Sequence, residues 1–106
     1  MQMEWNTRLN EAGSTEDVLW VVRDFLSRWT PEQLGHIPIE CVPGRINDAD
    51  GVALYALMLV QKQLGSEPYT SPQLHKMANF FVAASSRISQ VLARAAQDAA
   101  MARARV

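Results

Sequence analysis

From residue 71 onward, apolar side chains recur every seven positions. Leu74, Phe81, Ile88, Ala95 and Ala102 make one row, and Met77, Ala84 and Val91 make a second beside it that Asp98 interrupts. Such a double row is the seam of a helix that packs along another helix. Ser71 and Pro72 supply a cap and a first-turn proline, so the pattern predicts one helix from there to the C-terminus. At about 1.5 Å per residue it reaches roughly 45 Å, more than a compact domain of this length spans. Its end, residues 96–106, is therefore expected to project or to meet another chain.

Upstream, the same reading gives three further helices and one short helical turn. Trp5, Leu9 and Ala12 lie four and three apart on a first helix over 3–12, which Gly13 stops. Ser14 or Thr15 caps a second, with Glu16 and Asp17 in its first turn, where free amides and the positive dipole end favour carboxylates. Its apolar stripe is Val18, Val21, Val22, Phe25, Leu26 and Trp29, with Leu19 at the edge. Thr30 and Pro31 start a brief turn that Gly35 ends. Asn47 and Asp48 can cap another helix that runs to Leu64. That helix is apolar all round its middle, Leu54 to Val60, which places it at the centre of a bundle or at a subunit contact. Between the turn and this helix lies an irregular Pro/Gly segment, residues 35–47, in which Pro38 or Pro43 can take either peptide isomer. Ile37, Ile39, Val42 and Ile46 should lay it down on the helices. The fold class expected is all-α, a four-helix bundle-like single domain over 1–106.

Composition supports a folded chain: of the 106 residues 48% are hydrophobic and 20% charged, with a net charge of −1. Charge is uneven. Residues 1–70 hold ten acids and five bases, whereas 71–106 hold five bases and one acid. Arginines near the end of the last helix complement its dipole, and their spread is too thin for a dense nucleic-acid patch. The longest apolar run, Val52 to Val60, is nine residues, far short of the roughly 20 that cross a bilayer. The N-terminus lacks a basic segment followed by an apolar one, so a cytoplasmic protein with no secretory leader is expected. A lone Cys41 fits that compartment.

Groups suited to catalysis are sparse, and no enzyme is expected. Cys41 sits between Ile39 and Val42 and reads as a buried thiol rather than a nucleophile paired with His36. Asn47, Asp48, Asp50 and Gly51 resemble the start of a calcium loop, but Val52, Ala56 and Leu59 fall where later ligands belong, so capping accounts for them. No zinc spacing and no phosphate loop is present, and no cofactor is expected.

Three functions remain, in descending order of support. The first is a helical interaction or assembly protein, a homodimer joined through its last helix and the apolar helix before it, with contact strongest between Leu74 and Leu92. Its candidate interface residues are Trp20, Phe80, Phe81, Ala84, Arg87, Ile88, Val91 and Arg94. Trp20 falls among Arg23, Asp24 and Ser27 on the polar arc of its helix, so either the first helix covers it with Trp5 and Leu9 or it anchors a partner. The second function is a nucleic-acid accessory using Lys76, Arg87, Arg94, Arg103 and Arg105. The third is a ligand binder or enzyme with His36, Glu40, Cys41 and Arg45 lining a pocket under the irregular segment, where Arg45 can hold an anion.

Overall fold

Five helices and no strand make up the residues that the computed structural model describes, 3–37, 46–64 and 72–104. They are α1 (Met3–Glu11), α2 (Thr15–Ser27), α3 (Pro31–Leu34), α4 (Ala49–Leu64) and α5 (Pro72–Ala104). The starts of α2, α3 and α4 carry the chemistry that satisfies free amides. Ser14 Oγ accepts from the Asp17 amide at α2. Thr30 and Gln33 form a reciprocal capping box at α3, with Pro31 in its first turn. The Asp48 carboxylate accepts from the Gly51 amide at α4. Local sequence thus sets where helices begin, and packing decides what they touch.

The 33-residue α5 is the axis on which the others assemble. α4 lies antiparallel on it, so that Gln63 meets His75 and Tyr55 meets Phe81. α2 also runs antiparallel to α5, with Phe25 stacked on Phe80 and Trp29 near Lys76. α1 runs parallel to α5, Trp5 touching Phe80 while the Ala12 carbonyl just beyond the helix is bound by Arg87. Leu74, Met77, Phe81, Ala84 and Ile88 are all buried, so the seven-residue row is a seam filled by the chain's own helices. Val18, Val22 and Phe25 of α2, Leu9 of α1, and Val52, Ala56 and Leu59 of α4 complete the core.

Of the two places expected for α4, the centre of the bundle is taken by α5, while α4 packs extensively on α5 alone and turns its other face outward. The reason is that α1 and α2 pack on each other and on α5, which leaves α4 with α5 as its one extensive neighbour. The architecture is all-α, with three helices and one short one arranged around the long C-terminal α5. Ile37 and Ile46, at the two described ends of the irregular segment, are buried as expected. Pro38 and Pro43 lie outside the described residues.

Beyond Val91 every described residue of α5 is exposed. These 13 residues, 92–104, rise about 20 Å past the body, and the molecule measures 55 × 29 × 24 Å.

Candidate interaction surface

With α5 covering Val52, Ala56 and Leu59, the opposite face of α4 presents Leu54, Leu57 and Leu64, exposed by 57%, 55% and 80%. Their spacing of three and seven puts them on one stripe. On α5, Val82, Leu92 and Met101 are exposed. Leu92 and Met101 belong to the free end, which carries Arg94 and Arg103 with Asp98. Among the described residues neither Arg94 nor Asp98 has an ion-pair partner.

At the root of this arm, a cleft of about 510 Å³ opens between the start of α2, Gly13 to Thr15, and α5 from Arg87 to Asp98. The start of α4 lies at the same end of the body, because α4 is antiparallel to α5. Glu16, Asp17, Asp48 and Asp50 are all exposed there. A second groove, about 650 Å³, runs over the aromatic cluster on the other side and is lined by Trp5, Asn6, His75, Lys76 and Asn79 among others.

The interface residues expected from sequence divide into two groups. Phe80, Phe81, Ala84 and Ile88 are 6%, 0%, 0% and 5% exposed. They belong to the core, and the expected contact between Leu74 and Leu92 is largely occupied by α1, α2 and α4. Phe80 stacks on Phe25 with ring centroids 3.7 Å apart and meets Trp5 and Phe81 edge-on. Arg87 is committed to the fold. Its Nε and Nη2 donate to the Ala12 carbonyl at 3.1 and 2.9 Å, and Nη1 donates to Gln90. A carbonyl left free where α1 ends is thereby satisfied. Val91 is half-buried, while Arg94 and Trp20 are exposed.

Trp20 is 63% exposed, and α1 does not cover it. Trp5 instead turns inward to Phe25 and Phe80, with the Arg8 and Arg28 guanidiniums 4.9 and 5.3 Å from its ring centre. Those arginines converge on Asp24, which accepts from both. The hydrogen bond from Arg8 holds the Asp24 carboxyl below its ordinary value near 3.8, against an opposing push from desolvation and with further help from Arg28. A carboxylate depressed in the folded state stabilises it above the unfolded value and loses that contribution as pH falls through the folded one. Asp24→Asn is therefore expected to be less stable than the parent near neutral pH, with the difference vanishing in strong acid; denaturant titrations at the two pH values measure it.

The remaining candidates are not brought together. His36 is exposed, while Glu40, Cys41 and Arg45 lie outside the described residues. Of the basic side chains proposed to contact nucleic acid, Arg87 is bound to Ala12 and Lys76 sits 5.9 Å from the Trp29 ring centre. Arg105 lies outside the described residues. That leaves Arg94 and Arg103 as the free cations of the set. Among the described residues no cluster of three His, Cys, Asp or Glu could hold a metal ion, and no helix is long and apolar enough to cross a membrane.

Leu64 and Met101 are exposed residues that the sequence pattern does not single out, and for Met101 the signal present is the heptad row, which loses bulk after Val91 while the helix continues. Comparison with protein-family models, with curated proteins and with solved structures gave no match for this chain.

Proposed function

We propose that this protein is a small helical assembly protein that self-associates through its α4–α5 hairpin. One observation carries the reading: among the described residues, every large apolar side chain left exposed, apart from Trp20, belongs to α4 or α5. Burying a large aliphatic side chain fully is worth about 1.5–3 kcal/mol, and a two-fold interface counts each contribution twice. The leucine stripe of α4 and the free end of α5 thus give the hairpin a drive to associate that the α1–α2 side lacks.

Sedimentation of the full chain tests the reading. The expected result is a concentration-dependent dimer at micromolar protein, and a monomer for the quadruple variant Leu54→Ser, Leu57→Ser, Leu92→Ser, Met101→Ser with its helical content retained. A parent chain that stays monomeric up to millimolar concentration overturns it.

A further inference from the structure

The free end of α5 continues the very row that the body fills. Val91, Ala95, Asp98 and Ala102 extend the seam of Met77, Phe81, Ala84 and Ile88, yet no described helix covers them beyond Val91. A seam that keeps its period past its last neighbour requires another helix for the same face.

Charge selects that helix. Within the arm, Arg94 and Asp98 lie one turn apart and form no ion pair with a described residue. Two copies laid antiparallel about Ala96 place Arg94 of each opposite Asp98 of the other, and Leu92 opposite Ala100. Laid parallel, the same segments set Arg94 against Arg94 and Asp98 against Asp98, which is repulsive. The antiparallel register also carries Arg103 to the level of Ser89, beside the acidic starts of α2 and α4, and brings the tip to the cleft at the root of the arm. The arm is thus complementary to itself and to the end of the body it leaves.

We propose that two copies exchange the free ends of α5 as an antiparallel pair, each tip seated in the cleft at the root of the other's arm. The inference rests on the self-association reading and specifies its geometry. Asp98, which interrupts the apolar row, fixes the register by meeting a cation across the seam, as a polar seam residue does in paired helices. The alanines at 95, 96, 99, 100 and 102 let the two backbones approach closely but bury little area each. Overlap over 88–104 is about 25 Å long, below what a standard interface of about 800 Å² per partner needs, so the pair is weak and dissociates in the micromolar range.

The test uses the full chain in a Cys41→Ser background. Ala95→Cys is expected to form a disulfide-linked dimer under mild oxidation, because the two copies of residue 95 face each other within about one helical turn. Ala102→Cys, on the same row, is expected to form none, its copies being about 18 Å apart. Arg94→Asp is expected to raise the dimer dissociation constant about tenfold by turning two attractive pairs repulsive, and the swap Arg94→Asp with Asp98→Arg is expected to restore it. Linking through both positions shows a parallel pair and overturns the proposal. A dimer that neither cysteine links, and that Arg94→Asp leaves unchanged, overturns it too while keeping the broader reading, since contact then runs through α4. A monomeric parent overturns both.

Discussion

Phe80→Ala is expected to cost about 3–5 kcal/mol of folding stability, a large part of the roughly 5–15 kcal/mol that holds a domain of this size folded. The ring is 6% exposed and lies where three helices meet, stacked on Phe25 of α2 and touching Trp5 of α1. Truncation removes the apolar area and leaves a cavity between elements joined by few other contacts, because α1 is only nine residues long and depends on tertiary packing for its helicity. The melting temperature should fall by on the order of 20 °C. Urea titration should show a lower midpoint with the slope preserved. Leu92→Ala on the same helix, at a side chain 54% exposed, provides the contrast and should shift stability of the monomer by no more than about 0.5 kcal/mol. Were the two substitutions equally mild, the aromatic cluster would not be the joint between the α1–α2 layer and α5.

Helix boundaries were legible because capping is local chemistry. Ser14, Thr30 with Pro31, and Asp48 each announce a start that the structure realises within a residue or two. The buried face of α5 was legible for a similar reason, since a seven-residue period depends only on helical geometry. What periodicity omits is the identity of the neighbour. Phe81, Ala84 and Ile88 had to be covered by something, and the row reads alike whether the cover is α4 of the same chain or a helix of another. The fate of α4 shows the same gap. An all-round apolar helix fits the middle of a bundle or the surface of an assembly, and only the arrangement of the remaining helices puts Leu54 and Leu57 outside. Of the two fates open to Trp20, cover by α1 through Trp5 and Leu9 does not occur, because Trp5 gains more by joining Phe25 and Phe80 under two guanidiniums than by capping an exposed face. Arg87 could not be read at all. Its partner, the carbonyl of Ala12, is a backbone atom 75 residues away, and no side-chain pattern encodes it.

A chain ending at Val91 is expected to separate the two uses of α5. None of the residues 92–104 is buried, so removing them takes no side chain from the core and leaves every contact of Phe80, Phe81, Ala84 and Ile88 in place. At low protein concentration its melting temperature should lie within about 3 °C of the parent's, the change expected when only surface positions are lost. Association behaves oppositely. Anything that binds the folded state alone raises its apparent stability with concentration, so the parent should melt progressively higher as it is concentrated, whereas the shortened chain should not. Light scattering on the same samples should show the shortened chain monomeric where the parent is dimeric. A shortened chain that melts far below the parent when both are dilute would make the arm part of the fold; one that still dimerises would move the contact to the leucine stripe of α4. The expected pairing of unchanged folding with lost association follows from one structural fact: α5 extends about 20 Å beyond the last residue that its own chain covers.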